Sequence, residues 1–201
     1  MPRTTEQNEA LRSATRSAVE TAAVRVFAHR GFAAANIRQI AVEAGISIGS
    51  IYRHYASKEE LFDELIEQAS RGLGAVAAQL STDGDPIAMI RSFTETYVAD
   101  LTANNGAAEF YMVINQGFTT DTPEGTAARL AATQGTLWRA FALLIGRGQA
   151  AGQITAGDPA RMAAHYFAML AGMTTMHVAL REESAEPDVD LILRMFTGGP
   201  R

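Results

Sequence analysis

GISIGSIYRHYASKEEL, residues 45–61, admits two readings, and the choice between them decides the fold. Gly45-Ile46-Ser47-Ile48-Gly49 fits the G-x-S-x-G pattern of a hydrolase nucleophile elbow. That elbow needs a strand before the serine, because the strained strand-to-helix turn is what exposes the hydroxyl. The preceding residues carry Ile37, Ile40, Ala41 and Ala44 at helical spacing. Asn36 and Gln39 form an N-x-x-Q start of capping-box type, and Gly45 suits the left-handed position that closes a helix. Ser47 therefore follows a short helix and is placed to cap the next one. Ten residues on, Ser57-Lys58-Glu59-Glu60 spells a second capping box. Helix, glycine turn, short helix is the helix-turn-helix signature.

The 201-residue chain is 47% hydrophobic and 19% charged, enough apolar material for a substantial core. It has no cysteine, which removes disulfides, zinc–thiolate sites and thiol catalysis. The polar start MPRTTEQNEALRSATRS lacks the apolar stretch of a secretory signal. Residues 162–180, MAAHYFAMLAGMTTMHVAL, hold no Lys, Arg, Asp or Glu and lie between Arg161 and Arg181. Their two histidines, two threonines and tyrosine favour a helix buried at a subunit interface over a membrane span. A soluble, intracellular protein is expected. The formal net charge is −5, but it is unevenly spread. Residues 1–58 hold 8 Lys and Arg against 4 Asp and Glu, whereas residues 59–201 hold 9 against 18. A basic module on an acidic body is the charge pattern of a nucleic-acid binder.

No period-2 strand pattern is present. Asp85-Pro86, Thr122-Pro123 and Asp158-Pro159 each put a capping side chain before a proline at the first helical position, and Glu186-Pro187-Asp188 marks a further start. Gly31, Gly45, Asp83-Gly84, Asn105-Gly106, Gly117 and Gly152 mark stops. The expected fold is all-α, with about nine helices over 13–30, 37–44, 48–54, 58–80, 86–104, 107–117, 123–151, 159–181 and 188–197. Residues 1–12 form a mobile arm, 13–58 a three-helix DNA-binding domain, and 59–201 a larger helical domain for effector binding and dimerisation.

The chain resembles the tetracycline-repressor (TetR) family of bacterial regulators over residues 16–66. The resemblance rests on Phe27-x-x-Arg30-Gly31-Phe32, Ile40-Ala41-x-x-Ala44-Gly45-Ile46-Ser47 and Ile51-Tyr52-x-His54-Tyr55-x-Ser57-Lys58-Glu59-x-Leu61, in that order. It implies a cytoplasmic, nucleoid-associated bacterial repressor that binds a palindromic double-stranded DNA operator as a homodimer and is released by a small molecule. It also implies that the helix over 48–54 enters the major groove. The DNA-contacting positions then fall on Asn36, Arg38, Ser47, Ile48, Gly49, Ser50, Tyr52, Arg53, His54 and Lys58.

Six of these have a physical rationale of their own. Gly49 lets the backbone approach DNA, and Ser50 can bond a base edge or a phosphate. Tyr52 offers a hydroxyl on a rigid ring, while Arg38 and Arg53 can pair bidentately with guanine or phosphate. Lys58, the only lysine, stands at a helix N-terminus suited to a phosphate. Many relatives carry lysine where this chain has Ile48. Ile51 and Tyr55 face the core by spacing.

For the larger domain, Phe93, Tyr97, Phe110, Met112, Phe118, Trp138, Phe141, Tyr166, Phe167, Met169 and Met173 are the large residues available to line an effector cavity, with His165, His177, Asn115 and Gln116 as polar handles. Such a lining suits a mostly apolar effector. Ala164, Ala168, Ala171 and Gly172, with Leu191, Ile192, Met195 and Phe196, are the expected dimer interface. The four histidines show no i, i+3 or i, i+4 pair, so no metal, cofactor or enzyme activity is expected. The alternatives are a helical scaffold without DNA binding and, more remote, a hydrolase using Ser47.

Overall fold

The computed structural model describes residues 5–121, 123–180 and 183–198. Among them are nine helices and no strand: α1 (Thr5–Ala34), α2 (Ile37–Ala44), α3 (Ile48–Tyr52), α4 (Lys58–Leu80), α5 (Pro86–Thr102), α6 (Ala107–Thr120), α7 (Thr126–Ala150), α8 (Pro159–Leu180) and α9 (Val189–Thr197).

The caps read from the sequence are in place. Asn36 Oδ1 accepts from the Gln39 N–H while Gln39 Oε1 accepts from the Asn36 N–H, each at 3.0 Å. Gly45 closes α2 at φ 65°, and the Ile46 N–H reaches back to the Ala41 carbonyl at 3.0 Å. Ser57 Oγ accepts from the Glu60 N–H at 3.0 Å, but the Glu60 carboxylate reaches the Ala56 N–H instead of that of Ser57. Asp85, Asp158 and Asp188 cap α5, α8 and α9 through their Oδ1 atoms. Thr122 and Arg181 lie outside the described residues. Gly125 at φ 86° precedes α7, which starts at Thr126 instead of 123, and Asp121 Oδ1 accepts from the Ala127 N–H.

Several boundaries differ from expectation, chiefly in α1 and α6. α1 begins at Thr5 instead of the expected residue 13, and residues 1–4 lie outside the described residues. Gly31 does interrupt α1, at φ 72° and ψ 160°. Gly117 does not stop α6. It stands within the helix because a Cβ there would lie 2.5 Å from Leu130 Cδ1 on α7, so its missing side chain is what lets α6 and α7 touch.

Two cores organise the chain. The first joins Val19, Phe27, Ile40, Ile51 and Tyr55 to Leu61, Phe62, Leu65 and Ile66 of α4, and reaches Val113 and Ile114 of α6. Phe27, Phe32 and Phe62 form an aromatic cluster with centroids 4.7–5.7 Å apart. The second core packs the far end of α4 with α5, α7, α8 and α9 around Phe141, Tyr166 and Phe196, all fully buried. α4 belongs to both cores, and so joins the two ends of the molecule.

Candidate nucleic-acid interface and ligand cavity

At the α2–α3 end, the fold separates an inner from an outer face. Ile51 and Tyr55 are buried, whereas Asn36, Arg38, Ser47, Ile48, Gly49, Tyr52 and Arg53 are exposed and Ser50 and His54 half-exposed. Ser47 Oγ accepts from the Ser50 N–H at 3.1 Å and bonds the Ser50 hydroxyl at 2.9 Å; the Arg53 guanidinium donates to Ser50 Oγ at 2.9 Å. Ser47 is thus the α3 cap, and its hydrogen bonds go to Ser50, not to a base that would activate a nucleophile. The same bonds hold Arg53 and Ser50 side by side on the outer face, which lowers the ordering cost of a later contact. Around Gly49 the space is open: a Cβ there would meet only Ser47 Oγ, at 3.9 Å. Ile48 (38% exposed) and Tyr52 (53%) present apolar surface beside these polar groups.

Tyr55 anchors α3 from below. Its hydroxyl donates to the Glu20 carboxylate, which also holds Arg16 at 2.9 Å, and Arg16 reaches Glu64 of α4 at 3.2 Å. Burial tends to raise the Glu20 carboxyl, but the bonds from Tyr55 and Arg16 outweigh it, leaving the group below its ordinary value. Burial and the bond to Glu20 raise the Tyr55 phenol.

Lys58 has a use that its sequence position does not reveal. Its ammonium donates to the carbonyls of Phe32 at 2.8 Å and Ala35 at 3.0 Å and lies 4.2 Å from the Phe32 ring centroid. Those carbonyls belong to the broken end of α1, where Gly31 ends the regular ladder. Lys58 therefore ties α4 to the α1–α2 corner, and two of its three N–H groups are committed there.

The larger end encloses a cavity of about 790 Å³, within the range of small-molecule sites. Phe93, Tyr97, Phe110, Phe118, Trp138 and Phe167 line it as expected. Met112, Phe141, Met169 and Met173 do not. Phe141 is fully buried and stacks on Tyr166 at 4.7 Å, Met112 packs on the first core, and Met169 and Met173 pack on the second. Tyr166 also stays in the core, its hydroxyl 2.8 Å from that of Thr94. One wall was not anticipated: α4 supplies Gln68, Ala69, Gly72, Leu73 and Val76. A run of small and aliphatic residues without an aromatic carries no sequence signal for a cavity.

Of the expected polar handles, Asn115 is on the wall. Gln116 instead donates to the Ala28 carbonyl of α1 at 2.9 Å. His165 is exposed and His177 half-buried, and neither lines the cavity.

The expected interface residues divide. Ala164, Ala168 and Ala171 line the cavity. Ile192 and Phe196 are buried within the chain and offer nothing to a partner. Met195 is half-buried against the second core. Ala168, Gly172, Met176 and Leu180 are exposed at four-residue intervals along α8, with Leu191 of α9 60% exposed. Among the described residues no helix is long and apolar enough to cross a membrane, and no cluster of metal-ligating side chains occurs.

Comparison with known proteins finds likeness in the N-terminal helices and in the overall fold. Residues 21–65 match the family described as bacterial regulatory proteins, tetR family. The chain is 30% identical over 115 residues to the HTH-type transcriptional repressor KstR2 of Rhodococcus jostii (strain RHA1), covering 54% of this chain and 56% of that protein. It is 32% identical over 79 residues to the HTH-type transcriptional regulator AcrR of Shigella flexneri, covering 38% of this chain and 37% of that one. The chain thus spans little more than half, or less, of the curated relatives it matches. Over the whole of both chains it is similar to the crystal structure of the TetR family transcriptional regulator PfmR from Thermus thermophilus, at 25% identity and a TM-score of 0.66.

Proposed function

We propose that this chain, which belongs to the tetR family of bacterial regulatory proteins, is a cytoplasmic repressor that binds a palindromic operator as a homodimer and releases it when a small molecule fills the cavity. The observation that carries the reading is the outer face of α3, where half-exposed Ser50 and exposed Arg53 are held together over the buried Ile51 and Tyr55. A five-residue helix reads few base pairs, so two copies on a two-fold site are needed for useful affinity. The four-residue stripe Ala168, Gly172, Met176 and Leu180 on α8 supports pairing through that helix. Met176→Glu would bury an unpaired charge there and should give a monomer by sedimentation; an unchanged dimer places the interface elsewhere.

Two elements support a route from cavity to DNA. α4 runs from the α3 core at Leu61 and Leu65 to the cavity wall at Gln68 and Val76. α6 brings Asn115 to the cavity and its neighbour Gln116 to α1. A ligand that favours a different placing of either helix shifts the molecule away from its DNA-binding form, and by reciprocity operator DNA weakens that ligand equally. The test is selection of bound fragments from genomic DNA, followed by mobility shift with and without cavity ligands. Recovery of no enriched fragment would overturn the repressor reading.

A further inference from the structure

The cavity wall says which chemistry its occupant carries. None of its lining residues is an Asp, Glu, Lys, Arg or His, so nothing there compensates the desolvation of a charged ligand. Its polar side chains are two phenols, three amides and the Trp138 indole. Both phenols already donate: Tyr97 to the Leu170 carbonyl at 3.0 Å, and Tyr111 to Asp100 Oδ2 at 2.7 Å. Gln68 donates to Glu64 at 3.4 Å. Asn115 differs. Its Nδ2 is enclosed by protein and has no hydrogen-bond partner among the described residues, although the residue stands on the cavity wall that Phe110, Ile114 and Phe118 also line. A buried amide nitrogen without an acceptor from the chain carries a desolvation cost, and rotation about its terminal torsion would present the NH2 to the cavity.

We infer that the cavity binds an uncharged, ring-bearing molecule with a ketone, ester or amide carbonyl, whose oxygen accepts from Asn115 Nδ2. This rests on the reading of the cavity as the effector site. Aromatic side chains on the wall, among them Trp138 and Phe167, which stack on each other at 5.9 Å and 13°, suit a ring-bearing body, and the Asn115 amide sets its orientation. The acceptor is what distinguishes the ligand from a plain hydrocarbon. Its absence of charge distinguishes it from a carboxylate or an amine.

Trp138 is the only tryptophan and lines the cavity, so its emission reports occupancy directly. The probes are 9-fluorenone and fluorene, tricycles that differ by a carbonyl in place of a methylene, and fluorene-9-carboxylate as the charged analogue. They are titrated against the full chain, its Asn115→Leu variant and, as a second variant in case leucine disturbs the fold, Asn115→Ala. The ratio of ketone to hydrocarbon affinity should fall about tenfold from the wild type to either variant, the worth of one hydrogen bond to a previously unpaired amide. The carboxylate should bind at least about tenfold more weakly than the ketone. An unchanged ratio in both variants, or tighter binding of the carboxylate, overturns the proposal while leaving the cavity a ligand site. No response of Trp138 to any of the three overturns the cavity reading together with the proposal.

Discussion

Lys58→Met separates two uses of one side chain. If Lys58 mainly holds the corner of α1 and α2, its loss appears in stability; if it mainly holds a phosphate, its loss appears in the salt dependence of DNA binding. Two charge-assisted bonds to partly solvated carbonyls, at 2.8 and 3.0 Å, contribute together about 2 kcal/mol. The ring contact at 4.2 Å adds about 0.5–1 kcal/mol. Removing a cation from the first turn of α4 returns about 0.5 kcal/mol through the helix dipole. The net loss is about 2 kcal/mol, which in a domain of this size lowers Tm by about 4–8 °C. Methionine keeps the apolar stem over Phe32, so the fold survives. The assay pairs a circular-dichroism melt with operator binding at several salt concentrations. A phosphate role would reduce the slope of log K against log salt by about 0.9 per lost contact, close to 2 for a symmetrical dimer. The structure predicts the melting shift with the slope changed by less than one. An unchanged Tm together with a slope reduced by about 2 would refute this account of Lys58.

Three further outcomes follow from single contacts. Ser47→Ala removes the α3 cap and should cost about 1 kcal/mol in denaturant unfolding; any ester hydrolysis lost with that change would restore the nucleophile reading. Gly117→Val places branched carbon where Leu130 sits at 2.5 Å from even a Cβ, and should destabilise by about 1–3 kcal/mol, whereas an unchanged melt would show that α6 and α7 can separate freely. Because the folded Glu20 carboxyl lies below its ordinary value, its contribution is present above the usual carboxylate range and lost as pH falls through the folded value. Tyr55→Phe removes a bond that lowers it, so the variant should be about 1–2 kcal/mol less stable near neutral pH and converge on the wild type in acid; a gap that widens in acid contradicts the Glu20 linkage.

How far the sequence reaches depends on the range of the interaction. The caps at Asn36, Ser47, Ser57, Asp85, Asp158 and Asp188 act across two or three residues, and so are written in adjacent letters. The inner and outer faces of α3 follow from helical spacing alone. Gly117 and Gly148 are different. Gly117 in α6 admits Leu130, and Gly148 in α7 leaves room for Ile154 at 2.5 Å from a Cβ and for Pro86 at 3.3 Å, contacts that no local pattern encodes.

The same limit governs the cavity. Phe93 and Phe141 look alike in sequence, yet one lines the space and the other is sealed in the core at 5.8 Å centroid distance, because helix rotation decides which side each presents. Ile192 and Phe196 were legible as apolar, but not as facing inward. The first turns of α1 are polar and exposed, so no apolar periodicity announces its start at Thr5.

The most direct test of the central claim is equilibrium binding of a selected genomic fragment by the wild type and by Arg53→Ala, followed by fluorescence anisotropy from low to physiological salt. The account predicts tight wild-type binding that weakens steeply as salt rises, and a loss of about 1–3 kcal/mol on removing Arg53 with the fold unchanged. Equal affinity of the two proteins, or wild-type binding indifferent to salt, would contradict the assignment of the α3 face to DNA.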